Sequence, residues 1–531
     1  MGKERIFVGL DIGTNSIGYA VTDNNYTIKK YKGEPAWGTV VFDEASLKSE
    51  RRSFRNARRR LDRKKQRVLF VQEFFAKEIS KIDPSFYKRI KESSLYGDDS
   101  ECRFSLFCDE NFSDKEYHDK YPTIHHLIDD LMKDADYHDP RLVYLAVSWL
   151  VSHRGHFFSN ISIENIDKIK DFYTVYSRLM EFFSLTKPWN IEYSDQLGEI
   201  IKKKTGVNNK FALLKDFLYG GAKPPKEISE EFPYSKEGIV KLLAGGTYKI
   251  SELFGKEEYQ ELGSISLGMN DDRFMEISAE LGDDIELIAE LRSVYDWSIL
   301  VDILGNHDTI SEAKIDVYKK HKSDLAKLKF IIKKYASEKY DEVFRENNCG
   351  KYGSYVKGGK GSLSLEDFSK DILNIMKKIT PESDDEAVIN EVFSDLELRM
   401  FLPKQNTSDN RVIPYQLYLF ELIKILDNAE KYLPFLSEVS DGYSVKEKII
   451  SVFKFRIPYF VGPLNEYSEY AWIKRYPGAT GKITPWNFRD IVDLDSSEQE
   501  FIRRMTNSCT YLPNEDVLAK CSLLYQKFMV L

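Results

Sequence analysis

The sequence predicts a mainly α protein that opens with a short β segment and continues through a strongly basic helix. Three observations carry this. Residues 1–43 hold three brief β-branched or aromatic runs. Residues 51–67, RRSFRNARRRLDRKKQR, set eight Arg and two Lys against one Asp. Beyond them the apolar residues recur with the helical period of roughly 3.6 for most of the chain.

The strands are IFVGLDI (6–12), IGYAVTD (17–23) and GTVVF (38–42), separated by the turn GTNS and by a polar loop with Gly33 and Pro35. Three short strands leave a sheet edge and a face uncovered, so they read as the opening of a domain and need further elements to be stable. Helical patterning is clearest in RLVYLAVSWLV (141–151), DDIELIAELRSVYDWSILVDIL (283–304), DVYKKHKSDLAKLKFIIKKY (316–335) and PYQLYLFELIKIL (414–426), where Pro414 suits a first turn. Turn-rich breaks fall at YGGAKPP (219–225), NNCGKYGSYVKGGKG (347–361) and KRYPGATGKITPW (474–486). The acidic helices around 271–316 read as a solvated outer face.

With 531 residues the chain is too long for one core, and about three domains are expected. Its 42% hydrophobic and 13% aromatic content suffices to pack them. A formal net charge of −8 does not announce a nucleic-acid partner, but a local basic stripe can bind phosphate on an otherwise acidic surface. Five cysteines without C-x-x-C spacing support neither a disulfide framework nor a zinc knuckle. No apolar run suits a signal peptide or a membrane span. A cytoplasmic protein with no membrane partner is expected.

GLDIGTNSIGYAV (9–21) puts Asp11 near the end of an apolar strand, before a turn and a second strand carrying Gly18. A carboxylate there is suited to holding a divalent metal beside phosphate oxygens. Two superfamilies open this way: RNase H-like nucleases, and actin/hexokinase-type phosphotransferases. The second needs a later phosphate turn after a strand and a Gly-Gly adenosine motif, and gives the basic helix no role.

Within that helix Arg52, Arg55, Arg59, Arg63 and Arg67 step by three or four and form one stripe. Arg51, Arg58 and Lys65, with Arg60 and Lys64, make the neighbouring faces basic too. Exposed helices usually alternate charge at i,i+4, whereas here Asp62 is the single acid. Repulsion along the stripe calls for a polyanion or an acidic protein surface, and the excess of Arg over Lys favours forked phosphate contacts. Phe54, Ala57, Leu61 and Val68 form a narrow apolar seam expected to anchor the helix on protein.

These features together resemble the type II CRISPR-associated RNA-guided DNA endonucleases. The resemblance extends through YPTIHHL (121–127), RGHF (154–157), FRIPYFVGPL (455–464), ITPWNF (483–488), RMTN ending at Asn507, and LPNEDVL (512–518). It implies three regions. Residues 1–43 would be the first segment of a RuvC (RNase H-like) nuclease domain, an incomplete sheet with Asp11 as its catalytic, metal-binding carboxylate. Residues 44–76 would be an Arg-rich bridge helix, and 77–531 an α-helical recognition lobe.

The implied partners are a guide RNA (crRNA with tracrRNA), the target DNA strand, and a missing C-terminal part of the same protein. Arg51, Arg52, Arg55, Arg58, Arg59, Arg60, Arg63, Lys64, Lys65 and Arg67 would grip guide phosphates. Lys64 stands where the family pattern has Arg, keeping charge but losing the fork. Arg154, Tyr352, Tyr355, Gly358 and Gly359 would lie at the repeat-derived RNA duplex, and Tyr459 and Asn507 on the heteroduplex. KQNT (404–407) has Asn406 where Arg is expected, which weakens one phosphate contact.

Other readings compete at several positions. His125, His126, His153 and His156 lack an acid partner or HExxH spacing and read as hydrogen-bonded helix-face histidines. Trp486 reads as a core anchor. Tyr459 suits packing as well as contact.

A two-metal nuclease centre needs several carboxylates or histidines, and the chain supplies Asp11. The second and third RuvC motifs and the HNH domain are not recognisable in it. Mg2+ (or Mn2+) is therefore expected only with a complete nuclease domain, and the chain alone is expected not to cleave. A naturally short, nuclease-deficient guide-RNA-binding regulator is the alternative, and an actin-type phosphotransferase the remote one.

Overall fold

The computed structural model describes residues 5–13, 15–42, 48–91, 104–110, 112–133, 137–156, 170–186, 189, 191–203, 205–269, 271–346, 350–358, 361–456 and 473–507. Within these, several side chains of residues 48–59, including those of Arg51, Arg52, Arg55 and Arg59, and those of 504–507 lie outside the description.

Strands β1 (Phe7–Ile12), β2 (Ser16–Thr22) and β3 (Trp37–Val41) form an antiparallel sheet in the order β1-β2-β3. Leu10 faces Tyr19 and Asp11 faces Gly18 across the first pair, and Gly18 faces Thr39 across the second. Gly13 N–H closes the β1–β2 turn on the Ser16 carbonyl at 2.8 Å. Val8, Leu10, Trp37 and Val41 are all more than 60% exposed, so the sheet buries neither face well.

The main helices follow. They are α1 (Lys48–Ile82), α2 (Ile124–Met132), α3 (Pro140–Ser152), α4 (Phe172–Thr186), α5 (Ile285–Leu304), α6 (Ile310–Tyr335), α7 (Gly350–Lys357), α8 (Leu365–Met376), α9 (Glu386–Glu397), α10 (Tyr415–Glu430), α11 (Val445–Lys454) and α12 (Leu494–Asn507). Their starts follow local capping chemistry. Asp139 accepts the Arg141 N–H before Pro140-led α3, Thr309 caps α6, Ser364 caps α8, and Ser444 with Glu447 forms a reciprocal box at α11.

The chain divides into two compact units, residues 1–64, 457–479 and 490–531 in one and 65–456 with 480–489 in the other. The larger contains three hydrophobic cores. One joins the second half of α1 to α2, α3, α10 and α11, another builds on α4 and α5, and the third on α6 to α9.

Three expectations are revised. α5 is no outer face: Leu287, Ile288, Leu291, Val294, Trp297, Leu300 and Leu304 are all buried, and its acids occupy the remaining positions. Residues 350–357 form α7 where turns were expected. Gly350 enters it at φ +59°, where an added Cβ would stand 2.4 Å from the Val343 carbonyl oxygen, and Tyr355 buries in the third core. In α1 the anchor is Val71, Phe75 and Ile79, all fully buried, whereas Phe54 and Leu61 are 75% and 57% exposed. The four-residue spacing that makes a seam recurs further along the helix, beyond the basic run, where side chains are predominantly apolar.

Candidate nucleic-acid interface

α1 has 35 residues and a length of roughly 50 Å. Arg58, Arg60 and Lys65 are exposed, and Arg63 and Lys64 half-buried. Arg67 takes a protein partner: its Nε donates to the Val151 carbonyl at 3.2 Å, in the last turn of α3. A cation there meets the negative end of that helix.

The segment RGH after α3 is held just as closely. Arg154 Nη1 donates to the Phe453 and Phe455 carbonyls at 2.6 and 2.7 Å, at the end of α11. Gly155 sits at φ +72°, where a Cβ would approach the Ile413 carbonyl oxygen to 2.5 Å. His156 N–H donates to Ile413 O, Tyr415 N–H donates to His156 O, and His156 Nε2 donates to Val412 O at 2.8 Å. His153 stacks on Trp149 with centroids 4.5 Å apart. His125 is buried, its Nδ1 3.2 Å from Ser311 Oγ, and burial pulls its pKa down to about 3. His126 Nδ1 lies 2.8 Å from Thr123 Oγ1. The histidines thus have intramolecular partners, and no group of three or more His, Cys, Asp or Glu able to hold a metal occurs among the described residues.

A third region joins the two loops singled out on α7 and at 404–407 to one face of α6. His321 Nδ1 lies 2.8 Å from the Pro403 carbonyl, which can only accept, so Nδ1 carries the proton. In the neutral ring its Nε2 then accepts from Tyr352 Oη at 2.9 Å. Lys314, two turns earlier on the same face, donates to the Gln405 carbonyl and Asn410 Oδ1, both at 2.6 Å. Lys404 donates to the Tyr355 carbonyl, and its ammonium lies 3.9 Å from that ring's centroid; burial lowers its pKa.

Between these parts opens a recess of about 230 Å³, with Tyr318, His321, Lys404, Gln405 and Asn406 in its wall. Lys319, Lys322 and Lys357 are exposed nearby in sequence. Sequence reasoning missed Lys314, Tyr318, His321 and Asp324. Their spacing of four, three and three marks one helix face, but a polar face of a helix ordinarily reads as solvated.

Tyr355 itself is 2% exposed, stacked on Phe368 at 4.7 Å, with its hydroxyl donating to the Leu402 carbonyl; burial raises its pKa to about 12. That packing closes a direct RNA contact from the Tyr355 side chain. Gly358 follows α7, whereas Gly359 and Tyr459 lie outside the described residues, as does the side chain of Asn507, which ends α12. Trp486 meets Phe70 and Phe74 of α1 at 5.8 and 5.7 Å, the setting of an anchor.

Asp11 is exposed on β1, with Gly18 opposite it. A Cβ at Gly18 would lie 3.5 Å from that of Asp11, so glycine leaves room beside the carboxylate. A hard oxygen ligand in an open position fits a divalent cation as one ligand of several.

A strongly basic helix thus leads into a helical lobe with several hydrophobic cores and a polar recess lined by aromatic and cationic groups. A sequence-family model for the REC lobe of CRISPR-associated endonuclease Cas9 matches residues 167–531, and one for its bridge helix matches residues 51–83. The CRISPR-associated endonuclease Cas9 of Listeria innocua serovar 6a is 34% identical over 557 residues, covering 99% of this chain and 39% of the relative. That of Streptococcus mutans serotype c is 34% identical over 553 residues, with the same coverage. The chain belongs to the Cas9 family. It spans about two-fifths of the length of these curated relatives, over their N-terminal part.

Proposed function

We propose that this chain is the guide-RNA-gripping N-terminal part of an RNA-guided DNA endonuclease of CRISPR immunity. The observation that carries the reading is the Arg-dominated surface of α1, with Arg58, Arg60 and Lys65 exposed and one acid in the run, within a chain matched by bridge-helix and REC-lobe family models. Forked guanidinium contacts suit phosphates, and A-form shape rather than sequence suits a helical lobe that holds duplexes by their backbone. The family is one whose mechanism is well characterised, with base pairing reading sequence and protein reading shape.

In this reading residues 1–43 open the RuvC domain, 44–76 form the bridge helix, and 77–531 the recognition lobe. The partners are a crRNA paired with tracrRNA, and the target strand. Arg154, Tyr352, Gly358 and Gly359 lie on the repeat-duplex side, and Tyr459 and Asn507 on the heteroduplex side. Asp11 supplies one carboxylate to a Mg2+ (or Mn2+) centre whose other ligands come from the rest of the nuclease. When bound, that metal supplies charge stabilisation to the attacking and leaving oxygens of phosphodiester hydrolysis. The chain alone does not cleave, and it works in the bacterial cytoplasm. The helical lobe and the basic helix leave an actin-type phosphotransferase without support.

The test is RNA binding at graded salt. Arg59→Ala with Arg63→Ala weakens binding of an A-form RNA hairpin and flattens its salt dependence, because each lost phosphate contact releases fewer counterions. Unchanged affinity and slope sink the assignment. A cleavage assay with guide, matching target and Mg2+ gives no product; robust cutting by this chain refutes the division of labour.

A further inference from the structure

The segment 402–407 is held by an unusual backbone. Leu402 is fully buried, yet it sits at φ +51°, in the left-handed region that a branched apolar residue rarely adopts. Such a conformation persists only where surrounding groups over-determine it, and it concentrates at functional sites. Both its peptide groups are fixed. Leu402 N–H donates to Asp324 Oδ2 at 2.9 Å, and the Leu402 carbonyl accepts from the Tyr355 hydroxyl at 2.9 Å. Asp324, on α6, is 2% exposed. The next residues continue the ladder: Pro403 O to His321, and Gln405 O to Lys314, while Gln405 Nε2 returns to the Lys314 carbonyl at 2.7 Å. Asn406 and Thr407 then emerge exposed beside the recess.

We propose that Asp324 and Tyr355 are positioning residues that lock Leu402 in this conformation and so aim Asn406 and Thr407 at the phosphate backbone of a bound RNA duplex. The proposal rests on the RNA-binding reading above and adds what sets the loop's register. Asp324 also meets Lys320 Nζ at 3.4 Å, but it holds Leu402 by accepting its N–H, so a neutral acceptor of the same shape keeps that role and a methyl group does not.

The experiment is a double-mutant cycle on the full 531-residue chain, read by binding of a labelled A-form RNA hairpin at several salt concentrations. Asn406→Arg places a guanidinium at the loop tip; it tightens binding about fivefold and steepens the log K against log salt slope by roughly one unit. In an Asp324→Ala background that gain disappears, and in Asp324→Asn it returns. A general loss of stability lowers the melting temperature but leaves the Asn406→Arg gain in the folded fraction. Retention of the full gain in Asp324→Ala overturns the proposal. If Asp324→Ala does not fold, Tyr355→Phe, which removes only the bond to Leu402 O, decides by the same cycle. No gain from Asn406→Arg in the parent chain removes the loop from the RNA interface and the proposal with it. A gain there with no coupling to either residue refutes the positioning role alone.

Discussion

Ser311 N–H donates to Glu421 Oε1 at 2.8 Å, and Ser311 Oγ to Glu421 Oε2 at 3.2 Å, so a fully buried carboxylate closes the N-terminus of α6. The hydrogen bonds and the helix end favour the anion, but burial outweighs them and raises the Glu421 pKa to about 7. His125, on the same Ser311 hydroxyl, is shifted the other way by burial, to about 3.

These two groups give opposing pH dependences. Glu421 holds its proton in the folded chain above its ordinary pKa of 4.5, so its contribution is full below 4.5 and is lost as pH rises towards about 7. His125 must shed a proton on folding, so its contribution is lost as pH falls from 6.5 towards about 3. The slopes offset one another between 4.5 and 6.5. Glu421→Gln removes a loss on the order of 3 kcal/mol, so between pH 5 and 8 its stability should fall less with pH than the parent's. Denaturant melts across that range check it; a parallel pair of curves refutes the assignment.

Arg58 and Arg67 should separate by experiment. Arg67→Ala removes a charged hydrogen bond to the Val151 carbonyl and should cost about 1–2 kcal/mol of stability. Arg58, exposed on the basic part of α1, should change RNA affinity and its salt slope with little effect on melting. Thermal melts beside salt-titrated RNA binding check both, and equal melting shifts would contradict the division.

Gly155→Ala meets two obstacles at once, a left-handed φ of +72° and a carbonyl oxygen 2.5 Å from the new Cβ. A loss of about 3 kcal/mol is expected, with the 412–415 ladder opening first. Hydrogen exchange at Tyr415 N–H, which pairs with the His156 carbonyl, reports it directly.

Arg141 is an interior hub, its side chain 3% exposed and paired with Asp83, Asp109 and Asp139. Arg141→Ala leaves Asp109 and Asp139 without this guanidinium, while Asp83 keeps Arg89, and should cost about 3–5 kcal/mol. A melt at pH 7 checks it.

The N-terminal strands were legible because alternation and β-branching bounded by turns leave few options: 6–12, 17–23 and 38–42 appear within one residue as β1, β2 and β3. The long helices were legible for the same kind of reason, since a 3.6-residue period sustained over several turns fits nothing else. Residues 350–357 form a helix although their glycines signal turns locally, because burial of Tyr355 in the third core outweighs that signal. The seam on α1 was placed too early because local spacing cannot say which part of a long helix meets a core.

By itself the sequence determined the opening strands, the long helices and the concentrated positive charge of residues 51–67. These depend on neighbours within a few residues, where periodicity and charge are written directly. Only the tertiary structure decided which distant backbone groups the polar side chains meet. Arg67, Arg154 and Tyr355 are joined to carbonyls 84, 299 and 47 residues away, and Asp324 to an amide 78 away. Pairings at such separations are set by packing within each core, and no local pattern in the chain encodes them.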